Sequence, residues 1–204
     1  MSQASAATLL ATFTARRDLS GAIRVAAVVF IAALTAVAAQ VSLPLPFTPV
    51  PLTLQPMVVL LGGAALGSRL GMAAQIVYLA AGIAGLPVFA PSPVLPPGPL
   101  RLLGPTGGYL MSYPFAAFLT GFLAERGFDR RYLTSVLAMG AGLTLVFAFG
   151  VSWLAWFARP AGVGLEAALQ GGLYAFLPVD IYKILVASAI LPAVWKVTGP
   201  RGSR

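Results

Sequence analysis

The chain contains 204 residues, of which 59% are apolar and only 9% are charged, and its formal net charge is +8. A soluble domain carries roughly 25% charged residues, so this composition excludes an ordinary water-facing surface and indicates a lipid surrounding. Cysteine and histidine are absent from the sequence, which excludes disulfides, thiol nucleophiles and almost any zinc site. The basic residues form no stripe with interleaved aromatics. We therefore expect no nucleic-acid partner, no metal and no cofactor.

Long apolar stretches follow one another along the chain. At about 20 residues per membrane span they predict an all-α membrane protein, a bundle of about six transmembrane helices with proline-rich outer loops. The second stretch is short for a full span, which indicates a tilted, broken or partly inserted helix. The stretches lie at residues 21–41, in the region 54–89 with a division at residues 67–69, and at residues 105–124, 132–157 and 172–195.

An even number of spans places both termini on one side of the membrane. Residues 1–19 are expected to be a cytoplasmic tail, because they lack the order and the cleavage site of a signal peptide. Residues 20–196 are the predicted membrane domain, and residues 197–204 are a second cytoplasmic tail. Cytoplasmic loops are enriched in arginine and lysine. The predicted outer side holds only Arg101 and Arg159, whereas the predicted inner side holds Arg16, Arg17, Arg24, Arg69, Arg126, Arg130, Arg131, Lys196, Arg201 and Arg204.

Two connections on the predicted outer side are rich in proline. Residues 44–51 include four prolines and residues 87–105 include seven. Proline lacks an N–H group and cannot continue a helix, so both segments are predicted to be stiff, extended loops. Such loops either act as lids over a site or serve as rigid connectors.

Asp180 and Lys183 are charged residues inside the last apolar stretch. Charges at membrane depth are costly and usually functional, and their spacing places both on one helix face. If the helix starts near Gly172, Asp180 lies roughly 12 Å along it, in the outer half of the membrane. Pro178 is expected to loosen the helix just before the pair. The pair is either a ligand site or a self-neutralising ion pair that locks helices together.

The fourth stretch opens on its outer side with Gly-Pro-Thr-Gly-Gly-Tyr at residues 104–109. Glycines expose backbone N–H groups, and a helix N-terminus favours anions, so a ligand carboxylate could bind there. Close helix packing is the alternative. Gln55 and Gln75 are amides in apolar surroundings, where they either contact a ligand or form interhelical hydrogen bonds.

No catalytic set is recognisable, because the sequence has no Ser-His-Asp or His-Glu arrangement, no paired carboxylates and no Walker motif for ATP. Energy for uphill transport must then come from another protein or from an ion gradient. The residues discussed so far leave two classes of function open. One is a transporter that works alone or as a homo-oligomer, and the other is a membrane enzyme that uses Asp180 and Lys183.

Four motifs, in order, resemble those of the BioY family. Pro-Val-Pro-Leu-Thr-Leu-Gln at residues 49–55 resembles that family's Pro-Val-Pro-Phe-Thr-Leu-Gln, and Gly-Leu-Pro-Val-Phe-Ala at residues 85–90 resembles its third-loop motif. Gly-Pro-Thr-Gly-Gly-Tyr-Leu at residues 104–110 and Pro-Val-Asp-Ile-Tyr-Lys at residues 178–183 are similar to two further motifs. Each alone is weak, but together they are specific.

The resemblance implies a biotin-binding S component of an energy-coupling factor transporter. Such a protein lies in the cytoplasmic membrane, captures the vitamin from outside, and associates with a membrane coupling protein and two ATPases. The ligand contacts implied by the resemblance are Asp180, Lys183, Phe89, Thr106 and Tyr109. The chemistry agrees, because Asp180 can accept from the ureido N–H groups of biotin and Lys183 can donate to the ureido carbonyl.

The first helix carries small residues four apart, which form a smooth stripe that another helix can approach closely. The resemblance implies that S components dock through such a stripe, and internal packing is the alternative. The stripe consists of Ala22 and Ala26, and of Ala32 and Ala36. One departure from the family is also present: many relatives follow Phe-Ala with Asn, whereas Phe89-Ala90 here leads to Pro91-Ser92. Whether Ser92 replaces that amide contact stays open.

Overall fold

In the computed structural model, the described part of the chain covers residues 8–9, 20–92, 95–158 and 162–198. It is almost entirely helical, as the composition predicts. The elements in chain order are α1 (Ser20–Gln40), β1 (Ser42–Leu43), β2 (Leu52–Thr53), α2 (Gln55–Leu66), α3 (Ser68–Ile83), α4 (Leu100–Leu103), α5 (Gly107–Ala124), α6 (Tyr132–Trp156), α7 (Leu165–Leu169), a π-helical turn (Gln170–Tyr174) and α8 (Leu177–Thr198).

Three helical segments of the described chain are long and apolar enough to cross a membrane, judged by length and composition. They are Gly21–Gln40, Tyr132–Trp156 and Leu165–Val197. The other apolar helices are shorter: α2 has 12 residues, α3 has 16 and α5 has 18. The short α2 agrees with the expectation of an incomplete span, and only Gly67 separates it from α3. Gly67 has φ +89°, a backbone conformation that favours glycine.

Small residues bring α2, α3 and α5 close together. A Cβ atom on Gly121 of α5 would lie 2.5 Å from the Gly67 carbonyl carbon and 2.8 Å from the Gly63 carbonyl oxygen. A Cβ atom on Gly71 of α3 would lie 2.7 Å from the Gly63 Cα atom. Association of helices in lipid is driven by such close packing, so these glycines hold the centre of the bundle.

Polar contacts tie the helices at the end that we predict to be cytoplasmic. The Glu125 carboxylate accepts hydrogen bonds from Ser68 N at 2.8 Å and Ser68 Oγ at 2.9 Å. In the loop between α5 and α6, Asp129 Oδ2 accepts one from Trp195 Nε1 of α8 at 2.6 Å. Burial raises the pKa of Asp129 above its usual value, although the Trp195 hydrogen bond opposes this.

The last helix differs from the sequence expectation. We predicted a start near Gly172, with Pro178 loosening the helix interior, but α8 begins at Leu177 after the π-helical turn. Pro178 therefore occupies the first turn, where the missing N–H group costs no intrahelical hydrogen bond. Asp180 accordingly lies within the first turn of α8.

Candidate binding site

One end of the bundle encloses a cavity of about 810 Å³. This volume lies within the range of about 300–1,000 Å³ that is usual for small-molecule pockets. Both proline-rich segments, the N-terminal ends of α2 and α5, and the start of α8 contribute to its wall. Among the residues predicted from sequence, the cavity is lined by Gln55, Phe89, Thr106, Tyr109 and Asp180. The cavity is therefore a candidate site for a small organic molecule, and most of the site residues predicted from the sequence line it.

The charged pair lies at the wall of this cavity. Lys183 Nζ is 2.7 Å from Asp180 Oδ1 and donates a second hydrogen bond to the Thr53 carbonyl at 2.6 Å. Asp180 is 5% exposed and Lys183 is 7% exposed. Asp180 lines the cavity, and Lys183 lies directly behind it. A ligand that enters the cavity therefore meets the Asp180 carboxylate, which is already paired with the Lys183 ammonium group.

The first loop is attached to the charged pair through Thr53. β1 and β2 pair antiparallel, with Ser42 opposite Thr53 and Leu43 opposite Leu52, so residues 44–51 return as a hairpin. Thr48 Oγ1 also donates to the Gly171 carbonyl at 2.7 Å. The loop is thereby held beside the cavity that it lines, by contacts at both its tip and its base.

The two glutamines have different surroundings. Gln55 lines the cavity and donates from Nε2 to Tyr78 Oη at 2.6 Å. Gln75 instead donates to Thr35 Oγ1 at 3.2 Å across the interface of α3 with α1, and it does not line the cavity. The prediction that Gln75 binds substrate is therefore not supported, and the interhelical alternative is the one that its contacts show.

The aromatic candidates are fixed by packing. The Phe89 ring meets Tyr78 edge to face, with centroids 5.5 Å apart. Tyr109 Oη donates to the Gly172 carbonyl at 2.8 Å, which links α5 to the π-helical turn. A Cβ atom on Gly108 would lie 2.6 Å from the Phe149 carbonyl oxygen. The glycines at the start of α5 thus allow close packing against α6, which was the alternative to a carboxylate-binding role for this motif.

Arg101 is a site residue that the sequence interpretation counted only as an outer-side charge. It lines the cavity and is 9% exposed. Its Nε donates to the Pro96 carbonyl at 3.1 Å and its Nη1 donates to the Ala90 carbonyl at 2.9 Å. Burial lowers the pKa of the guanidinium, but arginine stays charged in proteins. Its position on the predicted outer side, against the inner-side bias of basic residues, is the sequence signal that could have identified it.

The alanine pairs on α1 lie on different faces. Ala22 and Ala26 are exposed on the surface of the bundle. Ala32 is buried in the core and Ala36 is half-buried against it. Internal packing therefore accounts for the second pair, and only the first pair is available to an external helix.

Known proteins resemble the chain over most of its length. The model of the BioY family matches residues 6–200. The chain is 40% identical to the probable biotin transporter BioY of Pyrococcus horikoshii, over 81% of this chain and 92% of that protein. It is 38% identical to the biotin transporter BioY of Thermotoga maritima, over 78% and 87% respectively. The crystal structure of an S-component for biotin from an ECF-type ABC transporter matches with a TM-score of 0.77 at 25% identity, covering 88% of this chain and 94% of that one.

Proposed function

The chain belongs to the BioY family, whose members are membrane transporters and not enzymes, and we propose that it captures biotin as the substrate-binding subunit of an energy-coupling factor transporter. The observation that carries this proposal is the Asp180–Lys183 pair at the wall of a cavity between the outer ends of the helices. The relatives named as biotin transporters and as a biotin S-component support it. The termini lie in the cytoplasm in this proposal, and the cavity faces outward.

The ureido ring of biotin complements the charged pair. The ring offers two N–H donors and one carbonyl acceptor, and a carboxylate accepts where an ammonium donates. Asp180 lines the cavity and contacts the ring directly, whereas Lys183 is 2.7 Å from Asp180 Oδ1 but outside the cavity lining, so in this proposal it turns from the Thr53 carbonyl toward the ring. Hydrogen bonds to charged groups are roughly twice as strong as neutral ones. The apolar thioether ring then lies among the aromatic and proline side chains of the wall.

The valerate end of biotin requires a second polar group, and Arg101 is suited to that role. It is a buried cation on the wall of the same cavity, in a loop far along the chain from the pair. Two of its five N–H groups hold the loop through the Pro96 and Ala90 carbonyls. A guanidinium binds a carboxylate with matched geometry, so biotin would lie with its ureido ring at Asp180 and its carboxylate at Arg101.

Replacement of Arg101 by methionine is expected to weaken biotin binding by about 10–100-fold, because a hydrogen bond to a charged group contributes roughly 1.5–3 kcal/mol. Biotin methyl ester, which lacks the carboxylate charge, is the matched control and should lose less. The measurement is the Kd of both ligands for both proteins. Equal losses for biotin and its ester would contradict the carboxylate contact.

The central experiment is a titration of the purified chain. We expect biotin to bind in about a 1:1 ratio without ATP, because the sequence has no nucleotide-binding motif and one cavity is lined by Asp180 of the charged pair. Isothermal calorimetry with biotin, thiamine and riboflavin tests the substrate, and the recovered ligand should be unchanged. Saturation by thiamine or riboflavin but not by biotin would contradict the assignment.

The coupling proteins are proposed to contact Ala22 and Ala26. These small, exposed residues lie one helical turn apart on α1 and allow close approach of a partner helix. We expect Ala26→Trp to leave biotin binding intact while abolishing ATP-dependent uptake with the coupling protein and two ATPases. Ala32→Trp is the matched control, because its site is buried and its bulk should impair folding and binding together.

Binding isotherms and uptake assays on the same two variants provide the test. Unimpaired uptake by Ala26→Trp would contradict docking at this face. Full uptake by the unaltered chain in cells that lack the ATPases would favour the alternative transporter, which works alone or as a homo-oligomer.

A further inference from the structure

A second, smaller chamber adjoins the cavity on the side of the third loop. Its volume is about 260 Å³. The two chambers share Phe89, Pro91, Ser92 and Arg101 as lining residues. The smaller chamber is otherwise lined by Gln40, Leu86, Pro87 and Pro97. Arg101 therefore lies at the boundary between the two chambers.

Because Arg101 lines both chambers, its position determines which part of the ligand lies next to the second chamber. This step rests on the proposed function, in which the ureido ring lies at Asp180 and the carboxyl end reaches Arg101. A group attached to that carboxyl carbon would continue past Arg101 and away from the charged pair. Arg101 also lines the smaller chamber, which adjoins the cavity at this residue.

We propose that the site accepts biotin that carries an amide-linked extension on its carboxyl group, and that the second chamber holds the extension. Nε-biotinyl-lysine is the simplest ligand of this class. Its amide carbonyl remains an acceptor for the Arg101 guanidinium, which loses only the full charge of the carboxylate. The larger cavity keeps the ring in the same place.

The second chamber has the chemistry that an amino-acid extension requires. Gln40, at the last position of α1, offers a side-chain amide oxygen to an ammonium group. Its Nε2 donates to the Pro87 carbonyl at 3.2 Å and the Phe89 carbonyl at 3.3 Å, so it is fixed against the loop. Leu86 is 54% exposed, so the chamber is open at this residue to the end of a longer extension.

Competition binding on the purified full-length chain tests the inference. Biotin and Nε-biotinyl-lysine should displace labelled biotin with Kd values within about tenfold of each other, whereas ureido N-methylated biotin should not compete. Leu86→Trp and Pro97→Trp place bulk in the second chamber alone. Each should raise the Kd of the conjugate by about tenfold or more and that of biotin by less than about threefold. Ile83→Trp, at an exposed residue that lines neither chamber, is the matched control and should change neither value.

Four results would overturn the inference. If biotin binds and the conjugate does not compete, the extension class is wrong while the proposed function stands. If the conjugate binds equally well to both tryptophan variants, or if both ligands weaken in step, the second chamber does not hold the extension. If neither ligand binds the unaltered chain, the proposed function and this inference fail together.

Discussion

Lys183→Met is expected to lower the affinity for biotin by about 100-fold or more. The substitution leaves the Asp180 carboxylate, 5% exposed, without the cation that lies 2.7 Å away. Truncation of one partner of a buried, hydrogen-bonded charge pair at a binding site typically costs roughly 2–5 kcal/mol of binding free energy, and each 1.4 kcal/mol corresponds to about tenfold in affinity. The ligand also loses a donor for its ureido carbonyl. Asp180→Asn should weaken binding in the same direction, because the amide accepts less strongly than a carboxylate.

Calorimetry with biotin and the melting temperature in detergent should be measured on the same samples. Tyr182→Phe is the matched control, since this residue lies between the pair on α8 but is 68% exposed, and it should bind as the parent does. The double variant Asp180→Asn with Lys183→Met removes both charges, which is often nearly neutral for stability. We expect it to fold and fail to bind. A double variant that binds normally would show that the pair is structural.

Gly121→Val is expected to destabilise the bundle severely. A Cβ atom at this position would lie 2.5 Å from Gly67 C and Ser68 N, which are backbone atoms between α2 and α3. Backbone cannot rotate away as a side chain can, so the helices must separate. Overpacking typically costs about 1–3 kcal/mol and sometimes more, and we expect this variant at or above the upper end. The apparent melting temperature in detergent is the measurement.

Gly140→Val is the control for that substitution. Gly140 also lies within a long helix, α6, but a Cβ atom there would have no heavy atom within 4 Å. The change in helix propensity on replacing glycine by valine is similar at both sites, so the difference between the two variants isolates the packing contribution. Equal melting temperatures would mean that the three-helix contact at Gly121 does not limit stability.

The sequence alone determined the class of protein and indicated Asp180 and Lys183 as candidate site residues. With 9% charged residues, only a lipid environment is compatible with the chain, and long apolar stretches in such a chain form helices because lipid cannot satisfy free backbone groups. Asp180 and Lys183 are recognisable because charge inside an apolar stretch is costly. The composition-based prediction of a nearly all-helical membrane protein is confirmed by the model and by its structural match.

The tertiary structure decided which residues face the same space. Gln55 and Gln75 are indistinguishable as amides in apolar runs, yet one lines the cavity and the other bonds Thr35 between helices. The alanines of α1 share a spacing, but Ala22 and Ala26 are exposed while Ala32 is buried. The sequence indicates only that Arg101 is a charged residue in a predicted loop, whereas the tertiary structure places it at the cavity wall. Local patterns specify what a residue prefers, whereas the contact partner depends on how helices far apart in the chain pack.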